Sequence, residues 1–370
     1  MLTGLVPNDN TIRRPNAKPL IINGDMAIHQ RVSAGTTNES FGVDRFKSTD
    51  TANFDQRGFT INQDTDVPTG NGFSNSLKFT MTTPETTIDA DEYGRVETIL
   101  EGQDVQLLKF GTSSAEAVTL SFWVKSNVTG NYAVSLFQED DTRIIGSTYT
   151  VSSSATWEKK VITFSGDNTG IIDNNNGKGL SLHWYMSAGS NFTSSDNTSW
   201  GASSNSKLAY GQVASVMSTT SGYWYITGVQ LEVGTYTSST LPPFQFESFG
   251  DNLKRCQRYY YKLKNDSGSA TGAYWGNSIV DSSTTLKGTI RFPKMRTVPS
   301  AFETTGTASD YRVWTSGNTS TVCSSVPTLD QITSFSGRLL FTVSSGLTAG
   351  QVGGYRSSTT DAYLAWSAEL

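Results

Sequence analysis

Apolar and polar residues alternate with a period of two through much of the stretch from Pro19 to Gly234. Leu77, Phe79 and Met81 alternate with Lys78 and Thr80, and Val118, Leu120, Phe122 and Val124 with Thr119, Ser121, Trp123 and Lys125. Tyr132, Val134 and Leu136 repeat the pattern, and Leu180, Leu182, Trp184 and Met186 stand opposite Ser181, His183 and Tyr185. Alternation of this kind predicts antiparallel strands with one buried face. Turns rich in Gly, Asn and Asp separate the runs, as in Ser126-Asn-Val-Thr-Gly-Asn131 and Asp173-Asn-Asn-Asn-Gly-Lys-Gly179. Only Gly102–Phe110 hints at a helical turn. So many strands predict a two-sheet jelly-roll β-sandwich over residues 21–235.

The pattern then changes. Trp224–Glu232 reads as a strand with Tyr225, Thr227, Val229 and Leu231 on one face. Leu241-Pro-Pro243 forbids both helix and central strand. Beyond it Phe249, Leu253 and Cys256 recur at i, i+4 and i+7, the stripe of a short helix. Ser248 and Asp251 have the spacing of a capping box, and Arg255 and Arg258 suit the negative end of the helix dipole. Residues 236–258 thus predict a proline hinge and short helix, with Phe249, Leu253 and Cys256 as an interdomain joint.

From residue 259 onward a second β-region follows, with strands expected at Tyr274–Ile279, Leu286–Phe292, Tyr311–Trp314, Gly337–Val343 and Tyr363–Ala368. Its length fits one small C-terminal β-sandwich. Pro293 and Pro299 bracket Lys294–Val298 and predict an extended edge or loop there. Residues 1–20 carry Pro7, Pro15 and Pro19 and form no regular element. Two readings stay open for them: a frayed terminus, or an anchoring arm that orders by docking on a partner. The fold class is therefore all-β, with an arm, a jelly roll, a helical joint and a terminal sandwich.

Several runs carry a family resemblance. Asn23-Gly-Asp-Met-Ala-Ile-His-Gln-Arg31, Val43-Asp-Arg-Phe46, Val118-Thr-Leu-Ser-Phe-Trp-Val124 and Val229-Gln-Leu-Glu-Val-Gly234 are four of them. Phe246-Glu247, Cys256-Gln-Arg-Tyr-Tyr260, Lys294-Met-Arg-Thr-Val-Pro299 and Ala368-Glu-Leu370 complete the ordered set. Together they resemble tail-fibre-like virion proteins of bacteriophages, of a type common in marine phages. The resemblance implies a structural protein of the virion, on the phage tail or capsid surface, assembled in the host cytoplasm. It implies a homotrimer, and attachment to other virion proteins through the N-terminal arm. The predicted jelly roll also resembles carbohydrate-binding modules, which begin near an Asn-Gly motif and end in a strand like Tyr225–Leu231. Those modules often place acidic calcium ligands in that last strand; here Thr227, Gly228 and Gln230 stand there, which argues against a structural calcium.

Composition narrows the partners. Charged residues are 16% of the chain while Ser, Thr, Asn and Gly abound, giving an uncharged, hydroxyl-covered surface. Aromatics at 11% supply enough burial to exclude a disordered chain. The net charge of −5 and the absence of a basic cluster argue against a nucleic-acid partner. No apolar stretch could span a bilayer. Cys256 and Cys323 are expected to be free, Cys256 as a small core residue.

Little in the chain points to catalysis. The two histidines, His29 and His183, lack metal-site spacing, and no nucleophile elbow, phosphate loop or dinucleotide fingerprint occurs. No cofactor and no metal are expected. Acidic stretches at Asp89, Asp91, Glu92 and Glu97 and at Glu139-Asp-Asp141 could serve glycan cleavage, but they read as exposed charge in turns. Aromatics are more telling. Trp123, His183 and Tyr185 fall on the polar sides of their strands, where rings can stack on sugars; Tyr274, Trp275 and Trp314 have the same standing in the last domain. Burial of these rings by a loop or a second subunit is the competing reading. The expected function is attachment to a host-surface glycan by a fibre-like virion protein. A decorating protein that binds only other virion proteins is the alternative, and a glycan depolymerase stands third.

Overall fold

The computed structural model describes residues 18–31, 39–51, 58–85, 87–266, 268, 273–317 and 320–370. Most of the expected arm, residues 1–17, lies outside the described residues. The chain divides into two compact units, residues 1–252 with Leu370 and residues 253–369. Both are built of antiparallel strands, and the fold is all-β.

The strands of the first unit are β1 (Phe41–Val43), β2 (Phe46–Asp50), β3 (Gly58–Asp64), β4 (Ser76–Thr83), β5 (Tyr93–Glu101) and β6 (Val118–Ser126), then β7 (Gly130–Gln138), β8 (Arg143–Val151), β9 (Glu158–Phe164), β10 (Lys178–Ala188), β11 (Gly201–Ala202) and β12 (Tyr223–Val233). They make a seven-stranded sheet, β1-β2-β5-β10-β7-β8-β11, and a five-stranded sheet, β3-β4-β12-β6-β9. The chain passes repeatedly from one sheet to the other, as in a jelly roll. The alternating residues fill the space between them: Leu77, Phe79, Leu120, Phe122, Val134, Leu136, Leu182 and Trp184 are all buried in one cluster. Each such side chain contributes about 1.5–3 kcal/mol relative to exposure. The hinted helical stretch forms two 3₁₀ turns, Gly102–Asp104 and Gln106–Leu108.

In β12 the sequence pattern misleads. Trp224 and Ile226 face the core, and so do Val229 and Leu231, while Tyr225 and Thr227 stand on the outer face. The ladder with β6 shifts between Thr227 and Gln230, and Gly228 adopts φ 62°. This is a β-bulge with glycine in the left-handed region. One extra residue inverts the alternation, so the expected single face of Tyr225, Thr227, Val229 and Leu231 is split in two.

A buried polar knot locks this bulge. Asn23, itself left-handed at φ 60°, donates from Nδ2 to the carbonyls of Ile28 (2.9 Å) and Asp44 (2.8 Å) and accepts the Ile28 N–H at 2.9 Å. Asp44 accepts from the Gln30 N–H at 3.0 Å, and Arg45 donates to the Ile99 carbonyl at 2.5 Å. The Val229 N–H donates to Gly24 O at 2.9 Å. A Cβ on Gly24 would lie 2.2 Å from the Val229 carbonyl oxygen, so only glycine allows that approach. The runs at 23–31, 43–46 and 229–234 thus converge on one structural feature.

Helix α2 (Phe249–Cys256) begins with the expected cap: the Ser248 hydroxyl accepts the Asp251 N–H at 3.2 Å and donates to its carboxylate at 2.6 Å. Its buried stripe is rotated by almost a turn position from the expected one. Asn252, Cys256 and Tyr259 are buried, whereas Leu253 is half-buried and Phe249 is 65% exposed. The cause is Asn252, whose Nδ2 donates to Asp25 Oδ1 at 3.1 Å; that bond turns the polar residue inward and Phe249 out. Of the expected joint residues only Cys256 is fully buried. The division between the units falls inside α2, between Asn252 and Leu253.

The second unit holds β13 (Tyr260–Lys264), β14 (Tyr274–Val280), β15 (Thr285–Arg291), β16 (Ala301–Thr304) and β17 (Tyr311–Thr315), then β18 (Ser320–Val322), β19 (Thr328–Asp330), β20 (Ser336–Thr342), β21 (Val352–Ser357) and β22 (Tyr363–Ser367). Sheets β13-β22-β16 and β18-β17-β21-β14-β15-β20-β19 enclose a core that includes Leu286, Val313, Phe341, Tyr355 and Trp366. Strand β21 has no counterpart in the sequence reading because Gly353 and Gly354 weaken its strand signal. A Cβ on Gly353 would lie 2.3 Å from the Trp314 carbonyl oxygen, so close strand approach accounts for that glycine. Lys294–Val298 is a loop, as expected. Its Arg296 guanidinium donates to the carbonyls of Ala368 and Glu369, each at 3.0 Å, and its N–H donates to Arg258 O at 2.8 Å. Cys256 and Cys323 are both free and buried.

Asn23→Ala removes four buried hydrogen bonds, the fourth a long one of 3.5 Å from Asn252 Nδ2, and places a Cβ-only residue in the left-handed region. A loss of about 3 kcal/mol from the first unit is expected in urea denaturation. Unchanged stability would show that the knot is incidental to the fold.

Candidate functional site

The outer face of the five-stranded sheet carries a ladder of partly buried rings and charges. The ladders place Lys78 of β4 opposite Tyr225 of β12, and Tyr225 opposite Lys125 of β6. Residues directly opposite in an antiparallel pair share a face. The Lys78 ammonium lies 5.1 Å and the Lys125 ammonium 4.7 Å from the Tyr225 ring centroid, and Lys125 is also 5.6 Å from the Trp157 ring. Trp157 and Tyr223 meet Tyr225 edge-on at 5.9 and 5.4 Å. Each cation–ring contact contributes about 0.5–2 kcal/mol, more as water is excluded.

Carboxylates hold this ladder in place. Asp66 pairs with Lys125 and accepts the Trp157 indole N–H at 2.9 Å; Asp64 pairs with Lys78 at 3.3 Å. Burial works against the charge on Asp66, but Lys125 and Trp157 outweigh it and hold its pKa below the ordinary aspartate value. Hydrogen bonding to Tyr225 is the main reason the Lys78 pKa is raised. Tyr225 is buried beneath the lysines, while Trp123, Trp157 and Tyr223 remain half-buried. Trp123 lies against the bulge: a Cβ on Gly228 would stand 3.1 Å from its Cδ1 and 2.6 Å from Phe73 Cζ. The bulge therefore does two things. It turns Tyr225 outward, and it leaves room for the Trp123 ring.

The opposite outer face, that of the seven-stranded sheet, is covered. His183 and Tyr185 of β10 were expected there as ring platforms, but both are buried. The excursion after β10, with the short helix α1 (Ser190–Thr193), supplies the cover: Phe192 and Ala209 pack with Tyr185 and Ala133, and Tyr93 meets Phe192 at 4.9 Å and Tyr185 at 5.9 Å. Neither residue can stack on a sugar in this arrangement. Beside them Glu97 pairs with Arg95 at 2.7 Å and with Lys47 at 3.5 Å, and His183 Nε2 is 3.6 Å from it. Burial opposes the charge on Glu97, but Arg95, His183 and Lys47 more than offset that and hold its pKa down to about 2. Burial is also the main reason the His183 pKa falls well below the ordinary histidine value, with Arg95 adding to it. His183 Nδ1 has no hydrogen-bond partner.

In the second unit, Tyr274 is exposed, and Trp275 and Trp314 are half-buried. Trp275 packs toward the core beside Tyr311, 6.1 Å between ring centroids. Trp314 stands opposite Gly354, where an added Cβ would lie 3.9 Å from its Cε3. Tyr274 stands opposite Arg356, whose guanidinium is 5.5 Å from its ring. The structure therefore separates the six ring candidates: Trp123, Tyr274 and Trp314 have outward access, Trp275 faces inward, and His183 and Tyr185 are covered.

The acidic stretches are engaged in the fold. Glu139, Asp140 and Asp141 fill the turn between β7 and β8, as expected. Asp140 accepts the Asp173 N–H at 3.0 Å and Asp141 the Ile171 N–H at 2.8 Å, while Glu139 accepts from the Ser181 hydroxyl. Glu92 and Glu97 were expected as surface charge, yet both are buried; Glu92 caps the Asp89 N–H at 2.7 Å and Glu97 pairs with the half-buried Arg95. Among the described residues, no three His, Cys, Asp or Glu side chains are grouped as a metal site requires.

Sequence reading missed Trp157, Tyr223, Tyr225 and the two lysines. Trp157 sits just before a strand, where period-two counting assigns no face. The sequence carries a weak signal for the rest: Trp123 and Lys125 share one parity in β6, as Tyr223 and Tyr225 do in β12. What joins them is strand register, which the sequence does not display.

No family model matches the chain, and no curated protein matches it. Among solved structures it is similar to the enzymatically active domain of bacteriophage CBA120 tailspike protein 4, at 11% identity and TM-score 0.32, over 58% of this chain. The matched region spans only 21% of that tailspike chain. It is also similar to the family 11 carbohydrate-binding module of Clostridium thermocellum, at 13% identity and TM-score 0.28, over 56% of this chain and 100% of the module. TmCBM61, solved with β-1,4-galactotriose, matches at 8% identity and TM-score 0.29, over 59% of this chain and 99% of its own.

The buried His183 sets a pH dependence. Its folded pKa is depressed, so between that value and about 6.5 the unfolded chain binds a proton that the folded chain does not. Stability is then full above the unfolded pKa and falls as pH falls, by at most about 1.4 kcal/mol per pH unit. Glu97 adds nothing between pH 7 and 6, because it is ionised in both states there. Urea midpoints should drop between pH 7 and 5 in the wild type, and His183→Gln should flatten the slope. An unchanged slope in the variant would contradict the assignment.

Proposed function

We propose that this chain is a non-catalytic, glycan-binding attachment protein of a phage virion, and that the outer face of the five-stranded sheet receives the glycan. One observation carries the glycan reading: Trp123, Trp157 and Tyr223 stand half-exposed on a rigid sheet face, among paired Lys and Asp side chains. Flat rings supply stacking surface for a sugar ring, and fixed polar groups around them supply hydrogen bonds for its hydroxyls. The lysine–tyrosine ladder holds the rings before any ligand arrives, so less ordering entropy is lost on binding.

The virion setting rests on different support, the ordered runs from Asn23 to Leu370 that resemble tail-fibre-like proteins. In this reading the chain forms a homotrimer, is fixed to other virion proteins through residues 1–20, and meets the host surface with its β-units. The runs themselves serve the scaffold: Asn23, Gly24, Asp44, Val229 and Arg296 hold chain segments together. They speak for shared architecture, while Trp123 and Trp157 speak for ligand.

Binding to an array of bacterial surface polysaccharides tests the proposal. Trp123→Ala and Trp157→Ala should each weaken the bound glycan by about five- to thirtyfold, the loss of about 1–2 kcal/mol of ring contact. His183→Gln, on the covered face, should leave affinity unchanged above pH 7. Retained affinity in both tryptophan variants would remove this face from the function. Binding only to other virion proteins would favour the decorating role instead.

A further inference from the structure

The lysines of the outer face are unequal. Lys78 is paired with Asp64 and Lys125 with Asp66. No ion pair joins Lys159 to a carboxylate among the described residues, and it is exposed. Of Lys78, Lys125 and Lys159 on that face, Lys159 is the one without a carboxylate partner. Partial burial of its stem lowers its pKa from the ordinary lysine value.

Position gives that charge a role. Lys159 of β9 stands directly opposite Trp123 of β6, so ring and ammonium share one face. Lys159 also lines a groove of about 560 Å³ at the sandwich edge, where β8 and β9 are adjacent. Hydroxyls and a ring from Thr148, Thr150, Tyr236, Thr237 and Ser238 line it too, beside Val161, Ile162 and Lys160, whose charge is taken up by Glu158 at 2.6 Å. Its volume suits a small ligand of sugar size. A chain of sugars lying across Trp123 and over the β9 edge passes the Lys159 ammonium on its way into the groove.

We infer that the groove is a subsite for an anionic sugar residue, with Lys159 as the group that recognises its charge. Resting on the glycan reading above, this names the class of glycan: an acidic polysaccharide carrying carboxylate or sulfate groups. Trp123 supplies the stacking surface, Lys159 the counter-charge, and the threonines the hydroxyl contacts. Because one ammonium stands unpaired, the subsite takes one negative charge, and its strength falls with added salt.

The test compares three probes by calorimetry with the full chain: polygalacturonate fragments, the same fragments with their carboxyls reduced to alcohols, and fragments of a sulfated galactan. The wild type should bind at least one acidic probe about tenfold more tightly than the reduced one, the size of a charge-assisted contact. Carboxylate and sulfate sources are told apart by which probe wins. Lys159→Gln should abolish that preference and Lys159→Arg should keep it, with melting temperature unchanged in both. Equal binding of acidic and reduced fragments by the wild type overturns this inference and leaves the glycan reading intact. A preference that survives Lys159→Gln overturns it as well. Failure to bind any probe, together with a blank polysaccharide array, fells both.

Discussion

One left-handed glycine and the knot that holds it govern the first unit. Gly228 inserts an extra residue into β12, and the Val229 N–H beyond it is bound by Gly24. Gly24 can approach because Asn23 fixes its loop to Ile28 and Asp44 through three hydrogen bonds. Without that register shift, Val229 and Leu231 could not return to the core after Trp224 and Ile226. The same shift leaves Tyr225 and Thr227 on the outer face and clears space for Trp123. Fold and candidate site therefore share a single local constraint.

The two outer faces of the jelly roll show how a β-sandwich can spend its polar residues differently. On the seven-stranded sheet, Arg95 and Lys47 pair with Glu97 beside His183, and chain covers the neighbouring Tyr185. Charges there are desolvated and committed, and removing one partner leaves the others buried and unpaired. On the five-stranded sheet the pairs are similar in type, and the connection between β3 and β4 reaches over part of the face, where Asp66 meets Lys125 and Trp157 and the Asn75 carbonyl meets Thr227, leaving Trp123 and Trp157 half-buried. Solvent reaches the rings, and so can a ligand. The chain laid over each face, rather than residue type, separates the two.

Much of this was legible in the sequence. Leu77, Phe79, Leu120, Phe122, Leu182 and Trp184 fell on the core side because their alternation is uninterrupted, and the Ser248–Asp251 cap was read correctly from its spacing. Where the reading failed, a local irregularity stood in the way. The bulge inverted the faces of β12, the buried Asn252 rotated the stripe of α2 away from Phe249, and Gly353-Gly354 hid β21. His183 and Tyr185 were placed on the right side of their strand, but burial by the excursion that follows β10 is a tertiary fact with no sequence period. The Lys78–Tyr225–Lys125 ladder was invisible for a related reason, since it depends on the register of three strands far apart in the chain.

The central claim is that the outer face of the five-stranded sheet, and not its counterpart, receives glycan. Amide hydrogen exchange with and without a bound polysaccharide tests it most directly. Protection should appear in the segments containing residues 119–127, 157–163 and 223–227, with residues 93–101 and 181–187 unaltered. Protection confined to residues 93–101 and 181–187 would place the ligand on the covered face and contradict the account.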